Sequence, residues 1–105
     1  MTAPSRRQQL EAMLAETPED PELRYMVAME HVSAGDDLGA MRCFLELIQI
    51  TPNYVPAYHQ AGRALQRLNR IVEARTLLLK GIPIAQKLGD AHAAGEMQEL
   101  LQSLD

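Results

Sequence analysis

The chain repeats itself with a period of 34 residues. The dipeptide Thr17-Pro18 returns as Thr51-Pro52, and residues of similar kind stand one period apart on either side of these dipeptides. The matching sets are Leu10, Phe44 and Leu78; Ala40 and Ala74; Ala28 and Gly62; Gly35 and Asn69; and Tyr25 and His59. A period of this length, with small residues, large apolar residues and helix breakers at fixed positions, is typical of stacked helix pairs. Such arrays usually present a curved surface to another protein.

The composition favours helices in a single domain. Leu, Ala, Met, Glu and Gln, all good helix formers, dominate the sequence, and aromatic residues make up only 4% of it. A length of 105 residues gives one domain with room for a modest core. No predicted loop exceeds about five residues, which makes neighbouring helices antiparallel. We therefore predict an all-α fold.

Capping residues and breakers divide the chain into six predicted helices. Ser5 and Gln8 form a capping box that begins the first helix. Thr17-Pro18 ends this helix, because a residue before proline disfavours the helical region. Asp20 caps the second helix, and Gly35 ends it in the left-handed conformation that glycine tolerates. The later caps are Asp36 or Asp37 for the third helix and Asp90 for the sixth.

The second half of the chain follows the same order with two differences. Asn69 stands at the position of Gly35, and asparagine also tolerates the left-handed backbone. No Thr-Pro ends the fifth helix, so we predict that it runs from about Ile71 to Leu88, with a kink near Pro83. We predict one domain over residues 1–105, made of a half-repeat helix at 5–16, repeats at 21–54 and 55–88, and a capping helix at 91–104.

These positions resemble the tetratricopeptide repeat family, whose pattern is W-x2-L-G-x2-Y, then A-x3-F, then P. In the first repeat the matching residues are Arg24, Val27, Ala28, His31, Ala40, Phe44 and Pro52. In the second repeat they are Tyr58, Ala61, Gly62, Leu65, Ala74, Leu78 and Gln86. The resemblance is to the small bacterial type of these proteins. It implies a right-handed α-α superhelix in which small residues let paired helices approach closely.

Three positions depart from the family pattern. Arg24 stands where an aromatic residue is usual, and His31 stands where tyrosine is usual. We expect both to weaken the packing around the second helix. Gln86 stands where proline is usual, which agrees with a longer fifth helix.

In this family the first helix of each pair lines the concave groove, so the resemblance implies a binding surface there. The residues of the predicted surface share helical faces, because they follow i, i+4, i+7 or i+8 spacing. They are Tyr25, Met29, Val32 and Ser33 in the first repeat and His59, Arg63, Gln66 and Arg67 in the second. Methionine suits adaptable peptide binding, and paired arginines suit a carboxylate. We predict a scaffold that binds a peptide or partner protein there; the alternative interpretation is ordinary packing and a solvated face.

A narrower form of this function is a carboxylate clamp. Chaperone-binding members of the family hold a peptide's C-terminal carboxylate with Lys, Arg and Asn on this face. Arg63 and Arg67 could supply the basic part, but no Asn stands on either groove helix before Asn69. The clamp is therefore incomplete.

The charge distribution supports an alternative function, self-association. Residues 10–60 hold nine acids and two bases, a net charge of −7, and residues 61–89 hold one acid and six bases, a net charge of +5. Two antiparallel copies would set each acidic half against the basic half of the other. The first helix lacks a partner helix, so Leu10, Met13 and Leu14 would add an apolar edge. This alternative is a homodimer with no separate peptide ligand.

Other classes of function find no support in the sequence. A net charge of −4 does not attract nucleic acid or an anionic membrane, and no apolar run is long enough to cross a bilayer. His31, His59 and His92 lie on three different helices without ligand-like spacing, so we expect no metal and no other cofactor. No nucleophile with a matching base and no phosphate-binding loop appears, so we predict no enzyme. Cys43 is the only cysteine, which favours a reducing, cytoplasmic location.

Overall fold

Residues 2–104, which the computed structural model describes, form six helices joined by short turns. The helices are α1 (Arg6–Glu16), α2 (Pro21–Ser33), α3 (Asp37–Ile50), α4 (Val55–Arg67), α5 (Ile71–Lys87) and α6 (Ala91–Gln102). No strand occurs in this part of the chain. The predicted all-α helical-repeat fold is confirmed. The division into a half-repeat, two repeats and a capping helix stays a prediction.

Side chains cap the starts of four of the six helices, and α4 and α5 begin without a side-chain cap. The Ser5 hydroxyl accepts the backbone N–H of Gln8 at 3.1 Å, and the Gln8 side chain accepts the backbone N–H of Ser5 at 2.9 Å. Asp20, Asp36 and Asp90 accept backbone N–H groups in the first turns of α2, α3 and α6. Of the two candidates for α3, the cap is therefore Asp36. Each of these bonds satisfies a donor that has no partner inside the helix.

Three helices end in the same left-handed turn. Gly35, Asn69 and Gly89 follow α2, α4 and α5 with φ values of 73°, 58° and 77°. In each case the N–H of the next residue donates to a carbonyl five residues earlier, at 2.8–2.9 Å. This bond closes the helix end and satisfies a carbonyl that the helix leaves free. The prediction that Asn69 takes over the role of Gly35 is confirmed by its positive φ.

The fifth helix continues through its proline. α5 is 17 residues long and contains Pro83. Pro83 has no N–H, so the carbonyl of Leu79 loses its partner within the helix. Leu79 and Pro83 are both exposed, so this part of α5 lies at the surface. The kink expected near Pro83 stays a prediction.

Successive helices pack against each other in order, and α6 also packs against α4. The resulting stack measures 48 × 28 × 20 Å, longer than a compact domain of this length. Phe44 and Leu78 are fully buried, as are the small residues Ala40 and Ala74 one period apart. Small side chains at these positions let paired helices approach closely, and large ones fill the space between pairs.

Arg24 and Tyr58, one period apart, make the same backbone contact. The Tyr58 hydroxyl donates to the Pro52 carbonyl at 2.6 Å, and the Arg24 Nε donates to the Pro18 carbonyl at 2.6 Å. Arg24 also pairs with Glu46 at 3.2 Å. The Arg24 guanidinium thus supplies the hydrogen bond that the tyrosine hydroxyl supplies one period later. The expectation that Arg24 weakens the packing here stays a prediction. Each bond fixes the turn before a helix pair to the first helix of that pair.

His31 lies at the edge of the core. Its Nδ1 is 2.9 Å from a carboxylate oxygen of Asp36, the residue that caps α3. Gly39 leaves room for this pair, because a Cβ there would stand 2.7 Å from the His31 ring and closer still to Asp36. His31 is thus a structural residue of the turn between α2 and α3.

Candidate functional site

One groove collects residues from three helices. It has a volume of about 320 Å³ and lies between α2, α4 and α6; we call it the α2–α4–α6 groove. Its lining consists of Tyr25, Val55, Pro56, His59, Gln60, Arg63, Asp90, His92, Ala93 and Glu96. In the predicted repeat division, α2 and α4 are the first helices of successive pairs, and α6 stands one period after α4.

Three of the eight residues predicted for the binding surface line this groove. They are Tyr25 of α2 and His59 and Arg63 of α4. Arg63 is exposed, whereas Tyr25 and His59 are half-buried. The groove therefore has a half-buried aromatic side chain at α2 and an exposed cation at α4.

The other five predicted residues lie outside the groove lining. Met29 and Val32 are half-buried and pack against the hydrophobic core. Ser33 is exposed at the last position of α2, and Gln66 is half-buried. Arg67 turns toward α3, where its Nε lies 2.7 Å from the Asp37 carboxylate. Arg63 is consequently the one arginine that lines the groove.

The residues of α6 were missed as part of the binding surface. Asp90 and Ala93 stand one period after Pro56 and His59, so extending the 34-residue repeat once more would have identified them. The His92 Nε2 lies 3.0 Å from the Glu96 Oε1, across one turn of α6. The two side chains form an ion pair when the imidazole is protonated. These residues place a carboxylate opposite the Arg63 guanidinium.

The aromatic wall of the groove is held by its neighbours. The Tyr25 ring lies 5.7 Å from the Phe44 ring and 5.6 Å from the Tyr54 ring, both tilted, which is favourable aromatic geometry. Burial raises the pKa of Tyr25, and a hydrogen bond with the Gln60 side chain acts in the opposite direction. Tyr25 thus remains a neutral hydroxyl that can donate or accept a hydrogen bond at neutral pH.

Two charged residues of the groove act in opposite directions on the pKa of His59. Burial lowers the pKa of His59; Glu96 acts to raise it, and Arg63 acts to lower it further. A neutral imidazole offers one donor and one acceptor to a ligand. The groove therefore presents a phenol, a neutral imidazole, a guanidinium and a carboxylate beside apolar surface.

Residues 2–104 contain neither a cluster of metal ligands nor a membrane-spanning helix. No group of three His, Cys, Asp or Glu side chains there could hold a metal ion. None of the helices in that range has the length and apolar character needed to cross a membrane.

Comparison with known proteins identifies the family. The sequence profile of the tetratricopeptide repeat matches residues 2–78. A tetratricopeptide repeat domain protein from Salinibacter ruber is 30% identical in its crystal structure, with a TM-score of 0.77 over 81% of this chain and 94% of that one. Its solution structure matches at 32% identity over 83% of this chain and 88% of that one, with the same TM-score of 0.77.

A protein from Bordetella parapertussis is 25% identical, with a TM-score of 0.83 over 97% of this chain and 89% of that one. Among curated proteins none matches the chain. The profile covers well over half of the chain, and the Salinibacter domain resembles it over four fifths of its length. The chain belongs to the tetratricopeptide repeat family, a family of non-catalytic repeat scaffolds that serve protein–protein interaction.

Proposed function

We propose that the α2–α4–α6 groove binds a segment of a partner protein. The observation that carries this proposal is the convergence of three successive first helices on one groove of about 320 Å³. The lining combines polar groups of three helices with the apolar surface of Val55 and Pro56, so it can contact both polar and apolar groups of a ligand. Its aromatic residue is already fixed by two neighbouring rings, so little ordering is needed on binding.

The lining also suggests which segment fits. An apolar side chain of the ligand would lie against Tyr25, and a carboxylate of the ligand would pair with the exposed Arg63. Glu96 would in turn accept a hydrogen bond from the ligand backbone or from a basic residue. The lining includes no Asn, so the carboxylate clamp of the chaperone-binding members remains incomplete.

Charge reversal in the groove tests the proposal. Arg63→Glu should weaken capture of the partner by on the order of tenfold or more, because a carboxylate ligand would then meet a like charge. Arg67 should be left unchanged, since it pairs with Asp37 and supports α3. The matched control is Arg42→Glu, an exposed arginine of α3 that does not line the groove. Equal capture by both variants would contradict the proposal.

Self-association is a second proposed function, favoured by a different observation. Within one molecule, the acidic residues 10–60 and the basic residues 61–89 already form an ion pair with each other, between Asp37 of α3 and Arg67 of α4. On α1, Leu10 is buried and only Met13 is strongly exposed. The larger apolar exposure lies on α5, and it offers a surface that a second copy could cover.

We also propose a cytoplasmic location, which rests on the single cysteine. Cys43 is half-buried, and burial raises the pKa of its thiol, with Glu46 and Glu11 acting in the same direction. A thiol held neutral in this way reacts poorly with oxidants.

A further inference from the structure

The fifth helix exposes an apolar stripe. Val72 is 73% exposed and Leu79 is 55% exposed. Thr76, which lies between them, and Pro83, which follows Leu79 by four residues, are exposed as well. The spacing of these four residues is four, three and four, so they share one face of α5. This is the spacing at which two helices pack along a common seam. We call these four residues the α5 seam.

A cavity lies beside the seam. It has a volume of about 340 Å³ and is walled by apolar side chains of three helices, including Leu45 of α3, Leu65 of α4 and Leu77 of α5. Val72 and Thr76 of the seam line it, together with Glu73 and Lys80. The groove between α2, α4 and α6 shares no residue with this cavity. The two surfaces can therefore be occupied independently.

The α5 seam is complementary to itself when a second copy runs in the opposite direction. Val72 then lies opposite Pro83, and Thr76 lies opposite Leu79, with each pair occurring twice. In the same arrangement Glu73 faces Lys80 of the other copy. All three pairings are centred within one residue of Leu77, so a single two-fold axis satisfies them together.

We propose that two copies of this chain pair antiparallel along the α5 seam. The proposal rests on the self-association proposed above and gives it a surface. The argument for a second copy as the occupant is the reciprocal placement of one acid and one base, since charges flanking a helix seam set orientation and partner choice. Glu73 also pairs with Arg70 of its own chain, at 2.8 and 2.9 Å, so in the dimer its carboxylate would be shared between Arg70 and Lys80 of the other copy.

The paired surface is small. A single helix–helix contact buries less than the roughly 1,600 Å² of a standard interface. The dimer is therefore expected to be reversible and to form as the protein concentration rises.

Sedimentation equilibrium over a wide concentration range tests the pairing. The wild-type protein should show a monomer–dimer equilibrium, and Leu79→Asp should raise its dissociation constant by on the order of tenfold or more. The matched control is Leu88→Asp, because Leu88 is 54% exposed but lies two and a half helical turns from Leu79, on the other side of α5. Circular dichroism should show the same helix content in all three proteins.

Each outcome is decisive. Loss of the dimer in Leu79→Asp alone supports the proposal. A wild-type protein that stays monomeric at every concentration overturns both self-association and pairing along the α5 seam. The exposed apolar residues of α5 would then be available only to a different partner. A dimer that survives Leu79→Asp overturns the seam but keeps self-association through another surface.

The charge pair allows a second test. Lys80→Glu should weaken the dimer, since two acids then face each other across the axis. Adding Glu73→Lys with Arg70→Gln in the same chain restores opposite charges without a like charge beside residue 73, and should recover the dimer. Failure of this triple variant to recover it, with helix content unchanged, would overturn the antiparallel arrangement.

Discussion

At the scale of single residues, unlike side chains perform the same task in successive repeats. Tyr58 and Arg24 stand one period apart and both donate to the carbonyl of the proline that precedes their helix pair. A phenol and a guanidinium share only a donor at the end of a long side chain. The repeated requirement at this position is thus a hydrogen bond to the preceding turn, and the aromatic ring is one way to supply it.

Removing this donor should cost stability. Tyr58 is fully buried, and Tyr58→Phe leaves its ring in place while the Pro52 carbonyl loses its partner. We expect a loss of about 1 kcal/mol in the free energy of unfolding, the usual net contribution of one hydrogen bond. Urea denaturation measures it, and an unchanged midpoint would show that the bond contributes nothing.

The pKa of His59 should respond in opposite directions to its two charged neighbours. Burial lowers this pKa, Glu96 opposes the effect and Arg63 adds to it. Arg63→Gln should therefore raise the pKa of His59, and Glu96→Gln should lower it. NMR titration of the imidazole protons measures both shifts. A pKa that neither substitution changes would mean that the three side chains do not share one groove.

The same lowered pKa sets a pH dependence of stability. Because the pKa of His59 in the folded protein lies below the ordinary value of 6.5, the unfolded chain takes up a proton first as the pH falls. The contribution of His59 to stability is complete above about 6.5 and is lost as the pH falls from there toward the folded-state value. Unfolding measured against pH should show this loss in the wild type, and His59→Gln should lack it.

At the scale of helices, close approach depends on one glycine. A Cβ on Gly81 of α5 would lie 2.6 Å from the Tyr58 Cβ of α4 and 3.0 Å from the Met97 sulfur of α6. The Tyr58 Cβ is attached directly to the backbone, so it cannot move aside without moving α4. Gly81 is therefore the point at which three helices meet.

Gly81→Ala should destabilise the protein by about 1–3 kcal/mol, the typical cost of overpacking. The gain in helix propensity, about 1 kcal/mol, does not offset this clash. Gly95→Ala is the matched control, because a Cβ there meets nothing within 4 Å. It should be neutral or stabilise α6. Thermal unfolding compares the two variants, and equal melting temperatures would contradict the packing described here.

The helices were predictable from the sequence because their boundaries are set locally. Caps such as Asp20 and breakers such as Gly35 act within one turn, and the breakers return one 34-residue period later. The groove was predictable only in part. Arg67 does not line the groove, because its side chain pairs with Asp37, 30 positions away in the sequence. No local pattern reveals such a contact. The contribution of Glu96 to the groove likewise depends on how α6 packs against α4.

At the scale of the whole molecule, the core and the groove are physically connected. Phe44 is fully buried in the core, and its ring also contacts Tyr25 in the groove wall. Phe44→Ala should cost roughly 3–5 kcal/mol, a large part of the 5–15 kcal/mol that typically stabilises a domain. Calorimetry measures the loss, and an unchanged melting temperature would contradict the assignment of Phe44 to the core.

The claim that the α2–α4–α6 groove binds a partner segment is tested most directly by NMR. A peptide from a captured partner, titrated into the labelled protein, identifies the residues that it contacts. We expect the largest chemical shift changes at His59, Arg63 and Ala93, and much weaker binding to Arg63→Glu. Changes confined to the α5 seam at Val72 and Leu79, with binding to Arg63→Glu unaltered, would contradict the account.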